Sequence, residues 1–148
     1  MPLWHIYAPK GAYAPAEKER FAVAITDLYA KAGLPKFYVS VVFQELEPDT
    51  LYIGGKSADA FVRIWIDHIA RRMEPAQYDW WMHKVCKVVN AFVEPKSFAW
   101  ELHIDETPMP LWTIQGLRPP AGGSEIEQKW AAKNSATPYE GGTFAKST

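Results

Sequence analysis

The sequence predicts an α+β domain in which two tandem β-α-β units form one mixed sheet with two helices on one face, followed by an irregular C-terminal tail carrying a short helix. Three observations lead there. Strand-like and helix-like segments follow the same order in both halves of the chain, the helix-like segments carry apolar stripes at three-to-four residue spacing, and prolines and glycines break the pattern from Thr107 onward. With 148 residues, 48% of them hydrophobic, the chain is sized for a single core. The expected organisation is a domain over residues 1–120 and a tail over 121–148 that packs on the domain or on a neighbouring subunit.

Leu3 to Tyr7 alternates in character and reads as a strand that begins at the terminus itself. After the turn-like Pro9-Lys10-Gly11, Pro15 opens a helix with Glu17 and Glu19 near its positive end, and Phe21, Ile25, Leu28 and Ala32 form its expected apolar face. Gly33 supplies a left-handed stop, with Pro35 just beyond. Phe37 to Gln44, rich in aromatic and β-branched residues, reads as the second strand, followed by a short extended piece at Leu51 to Ile53 that Gly54-Gly55 closes. The second half repeats the plan with a strand over Ala60 to His68, a helix from Pro75 to Phe92 with the stripe Tyr78, Met82, Val85, Val89, Phe92, and a strand over Phe98 to Asp105. In the tail, Ser124 and Glu127 form the Ser-x-x-Glu pattern of a capping box.

Composition excludes several classes of function. The 16 Lys and Arg nearly balance the 17 Asp and Glu, so no broad basic surface is available for nucleic acid. No apolar run approaches the about 20 residues that span a bilayer. The single cysteine, Cys86, has no partner for an intrachain disulfide, which points to a reducing, cytoplasmic setting. No His/Cys cluster has metal-ligand spacing, and Gly54-Gly55 lacks the spacing of a phosphate loop, so neither a metal nor another cofactor is expected. Seven each of Trp, Tyr and Phe exceed what one small core requires, and a sheet covered on one face only leaves the other to be covered, so an oligomer is expected.

Chemistry concentrates at the amino terminus. Met1-Pro2 runs directly into a strand, and removal of Met1 turns Pro2 into a secondary amine. A free α-amino group titrates at about 7.7–8.0, and an apolar pocket beside cations lowers that value toward neutrality, which makes the amine a general base or acid at physiological pH.

Around Pro2 the chain resembles the tautomerase superfamily, and within it the cis-3-chloroacrylic acid dehalogenase group. The resemblance rests on Pro2, Ala24-Ile25-Thr26-Asp27, Phe43-Gln44-Glu45, Pro48-Asp49, Ile53-Gly54-Gly55, Ile64-Trp65-Ile66 and Glu106-Thr107-Pro108, in that order between Pro2 and Pro120. It implies two β-α-β units per subunit, trimeric assembly and a pocket around the proline. It also implies an arginine at the end of the third long strand that grips a substrate carboxylate, and Arg71 falls there; a planar guanidinium bonds two oxygens at once and stays charged. Where the family has a second arginine this chain has Glu74, and Arg72 is the substitute on hand. Tyr29 occupies the place of a substrate-contacting histidine, and His103 that of a water-positioning tyrosine. Tyr38 and Gln115 complete the substrate-binding candidates. His68 and Asp67, close to Arg71, are secondary candidates for the pocket.

The water-activating glutamate of the dehalogenases is replaced by Ile114, with Gln115 beside it, and neither accepts a proton from water. Hydrolytic dehalogenation is therefore not expected. Tautomerisation needs only a base, a carboxylate clamp and a donor for an enolate oxygen. The expected function is proton transfer by Pro2 on a small 2-oxo or unsaturated carboxylic acid, with Arg71 holding the carboxylate and Tyr29 or His103 stabilising the enolate. Two alternatives are a ligand-binding or signalling protein of the same shape and a ferredoxin-like dimer, the latter having no use for a free terminal proline.

Overall fold

The computed structural model describes residues 1–69 and 72–144. The first unit runs through β1 (Pro2–Pro9), α1 (Pro15–Ala30) and β2 (Ser40–Leu46), and the second through β5 (Phe61–Ile69), α2 (Tyr78–Val93) and β6 (Ala99–Thr107). Between them β3 (Tyr52–Ile53) and β4 (Lys56–Ser57) form a small hairpin, and α3 (Glu125–Lys133) lies in the tail. The main sheet has the order β2-β1-β5-β6. Each unit contributes a parallel pair, and the units join through the antiparallel pairing of β1 with β5. The mixed α+β sheet read from the sequence is the one observed.

Alternation along β1 and β5 sends Trp4, Ile6, Val62, Ile64 and Ile66 to the helix side, where all are fully buried. They pack with Phe21 and Ile25 of α1 and Val85, Val89 and Val93 of α2. Phe21 stacks on Phe92 at 4.2 Å between centroids and joins the two helices. On the other side of the sheet His5, Trp65 and His103 stack across three strands, with centroids 4.9 and 6.0 Å apart.

Local chemistry explains the boundaries. Pro15 stands in the first turn of α1, and the Glu17 carboxylate accepts the Ala14 N–H at 2.9 Å. The helix closes on Gly33, at φ +85°, with Gly33 N–H donating to Ala30 and Leu34 N–H to Tyr29. That is a Schellman closure, and it pins the last turn carrying Tyr29. Gly54 and Gly55, both at positive φ, form the two-residue turn of the small hairpin, so the isolated extended piece expected at Leu51 to Ile53 is one arm of a pair.

Four readings change. Residues 36–38 form a 3-10 turn behind Pro35 rather than the start of a strand, because the Tyr38 N–H bonds the Pro35 carbonyl and the ring turns into a second cluster. On α1 the third buried position is Tyr29, while Ala32 is exposed. On α2 the buried stripe is Trp81, Val85, Val89, Val93; Tyr78 is exposed, since a 3-10 turn at Pro75–Gln77 resets the phase at the helix start. In the tail, Ser124 accepts the Glu127 N–H, but the Glu127 carboxylate takes the N–H of Gly123 and not of Ser124, so only half of the capping box forms.

The tail is anchored by Trp130, fully buried among Phe37, Tyr38 and Tyr139, with its Nε1–H donating to the Thr137 carbonyl at 2.9 Å. Met1 packs against the same cluster.

Candidate active site

Pro2 is buried at the head of β1 and lies opposite His68 in the β1–β5 register. The strands stay paired one residue further, where the Ile69 N–H donates to the Met1 carbonyl at 3.0 Å and the Met1 amine bonds the Ile69 carbonyl. Pro2 and His68 share the helix side of the sheet with Trp4 and Ile66. There the sheet end, the last turn of α1 and the start of α2 enclose a cavity of about 360 Å³, lined among others by Pro2, Tyr29, His68, Arg72, Trp80 and Trp81.

A chain of buried hydrogen bonds backs this cavity. Trp4 Nε1–H donates to the Tyr29 hydroxyl at 3.0 Å, and that hydroxyl lies 2.7 Å from His68 Nε2. Trp81 packs against both rings, 5.1 Å from Tyr29 and 5.7 Å from His68 between centroids. The Trp81 Nε1–H is buried with no hydrogen-bond partner among the described residues. Burial pushes His68 down to about 4, outweighing the nearby Glu106 and Asp67 carboxylates, while the Met1 amine adds to the downward push. Burial likewise drives the Tyr29 hydroxyl well above the ordinary tyrosine value, against a smaller opposing effect of the Trp4 hydrogen bond. Both groups are neutral at physiological pH.

Arg72 lines the cavity but is largely exposed, with Nε 3.8 Å from a Glu106 carboxylate oxygen whose partner oxygen accepts the Met73 N–H at 2.9 Å. Arg71 lies outside the described residues. Glu74 precedes the 3-10 turn into α2, its N–H bonded to Gln77 Oε1.

Within one subunit the structure brings together Pro2, Tyr29 and Arg72, and it leaves three other candidates apart. His103 is on the opposite face of the sheet, because β6 sends Leu102 and Ile104 to the helix side; its Nδ1 accepts from Arg63 Nη2 at 2.6 Å. Tyr38 is buried against Trp112 and Trp130. Gln115 sits at φ +53° in a tight turn between Ile114 and Leu117, away from the cavity lining. His68 and Trp81 hold central places that the sequence marked weakly or not at all. The available signal was strand phase: His68 continues the inward series Val62, Ile64, Ile66, where an imidazole needs a partner.

Residues 1–135 match a family model described as "Putative oxalocrotonate tautomerase enzyme". No protein with curated annotation matches. The chain is similar to native RhCC from Rhodococcus jostii RHA1, with 43% identity, a TM-score of 0.90 and coverage of 93% of this chain and 99% of that one. It is also similar to a probable enzyme from the thermophilic fungus Aspergillus fumigatus, with 38% identity, a TM-score of 0.88 and coverage of 94% and 98%. N1, a member of the cis-3-chloroacrylic acid dehalogenase family, shares the fold at 22% identity and a TM-score of 0.71, over 86% of this chain and 89% of its own. The chain belongs to the tautomerase superfamily, in the family of oxalocrotonate tautomerase type that its residues 1–135 match.

Proposed function

We propose that the protein is a cofactor-independent tautomerase in which Pro2, freed by removal of Met1, carries a proton between oxygen and carbon of a small 2-oxo or unsaturated carboxylic acid. The observation that carries this reading is the position of Pro2, buried at the head of a central strand and lining the 360 Å³ cavity beside His68. With Met1 gone, its nitrogen has a lone pair at the edge of a mostly apolar cavity. In ketonisation of an enol, the hydroxyl proton leaves oxygen and the carbon receives one, with the Pro2 nitrogen as carrier. The carboxylate clamp of this reading is Arg71, the position that the resemblance assigns, together with Arg72, which lines the cavity. The rings of Trp80 and Trp81 suit the unsaturated part of such an acid.

Assembly as a homotrimer belongs to the same reading, supported by the sheet face that carries His5, Trp65 and His103 and has no helix layer over it among the described residues. So does a cytoplasmic location; no helix among the described residues is long and apolar enough to cross a membrane.

The test compares Met1-trimmed and Met1-retaining protein of equal circular dichroism in ketonisation of the enol of phenylpyruvate or of a 2-hydroxydienoate. The trimmed form should be active, with a rate that rises with pH as the amine loses its proton, and the untrimmed form nearly inactive. Equal rates would leave Pro2 as the first residue of a strand and favour a ligand-binding protein.

A further inference from the structure

The Tyr29 hydroxyl has one proton to give, and the network shows where it goes. Its oxygen accepts from Trp4 Nε1–H, which can only donate. Tyr29 is 4% exposed, and the acceptor bonded to its hydroxyl among the described residues is His68 Nε2, at 2.7 Å. A buried hydroxyl proton without an acceptor costs about 1–3 kcal/mol, so the satisfied arrangement has Tyr29 donating to Nε2. Neutral imidazole carries one N–H, and with Nε2 accepting, that proton sits on Nδ1. His68 lines the cavity directly across the strand pair from Pro2, on the same face, where side-chain Cβ atoms stand about 4.5–5.5 Å apart.

We propose that His68 is a catalytic residue of this site, its Nδ1–H donating the hydrogen bond that stabilises the substrate's enolate oxygen, and that Tyr29 is a positioning residue that holds the imidazole in this tautomer. The inference rests on the tautomerase reading and deepens it: the donor expected at Tyr29 or His103 is reassigned to His68. Proton accounting is simple. The C–H or O–H bond breaks toward the Pro2 nitrogen, negative charge gathers on the substrate oxygen while His68 shares its proton without losing it, and the Pro2 ammonium then delivers its proton to the oxygen or to the carbon, respectively, which regenerates the free amine. Burial keeps the imidazole neutral, which suits a donor of this kind. A cationic imidazole would bring a second positive charge beside a protonated Pro2.

The experiment uses Met1-trimmed protein in phenylpyruvate enol ketonisation, alongside the ¹⁵N spectrum of the His68 ring at pH 7. His68→Leu should lower kcat roughly 10²–10³-fold, the range for loss of one such donor, with a much smaller change in KM. His68→Asn, whose side-chain N–H falls near the place of Nδ1, should recover about tenfold or more of that loss. The wild-type spectrum should show the proton on Nδ1, and Tyr29→Phe should lower kcat and shift the proton toward Nε2. A proton on Nε2 in the wild type would overturn the proposal and return the donor role to Tyr29. So would unchanged kcat in His68→Leu, and a loss confined to Trp81→Phe would pass the role to the Trp81 N–H. A rate that does not depend on Met1 removal or on Pro2 defeats the proline reading itself, whereas a Pro2-dependent rate indifferent to His68 defeats this inference alone.

Discussion

Pro2 and His68 stand opposite each other at the end of the antiparallel β1–β5 pair, one the first residue of its strand and the other the last inward-facing residue of its own. Everything chemical in the cavity is arranged around that pairing. Tyr29 reaches it from the last turn of α1, Trp81 from the first turn of α2, and Trp4 supports Tyr29 from behind.

The support should be measurable as stability. Trp4 is fully buried, so Trp4→Phe removes both ring volume and the N–H to Tyr29, at an expected cost of about 2–3 kcal/mol in urea unfolding. Combined with Tyr29→Phe, the two losses should fall short of additivity by about 1 kcal/mol, since each removes the same bond.

Acid should weaken the fold through His68. Its folded value of about 4 lies below the ordinary 6.5, so between those two values the unfolded chain holds a proton that the folded chain refuses. Stability is then fully present above about pH 6.5 and falls as pH drops toward about 4, by roughly 3 kcal/mol in all. Urea titrations at pH 7, 5.5 and 4.5 should show a steeper decline for the wild type than for His68→Asn, which has nothing to protonate there.

Trp130 should act as the clamp on the tail. Trp130→Ala, at a fully buried position, is expected to cost about 3–5 kcal/mol of local packing and to release the tail before the sheet. Limited proteolysis should cut the variant within residues 121–144 while the sheet stays folded by circular dichroism.

Hydrolytic chemistry should be weak. Ile114 and Gln115 form a tight turn outside the cavity lining and offer no carboxylate to activate water. Turnover of three-carbon haloacrylates by trimmed protein should fall well below its enol ketonisation, as halide release against keto formation would record; comparable rates would mean that another carboxylate serves as the base for water.

The sequence by itself determined the order of the long elements, the start and stop of α1 and the tandem units, because periodicity, proline at a first turn and a glycine at positive φ act over a few residues. It also put Pro2 at the head of the first strand, a position visible without coordinates. Only the tertiary structure decided which groups share the cavity. Tyr29 and Trp81 are buried where simple stripes had Ala32 and Tyr78, because the pairing of β1 with β5 and the turn before α2 set which helix faces meet the sheet. His103 points away from Pro2 for the same reason, as a strand's alternation is fixed by register and one step changes the face. The Trp4–Tyr29–His68 chain joins β1, α1 and β5 across separations of 25 and 39 residues. Its proton direction depends on three buried side chains meeting, and nothing local in the chain encodes such a meeting.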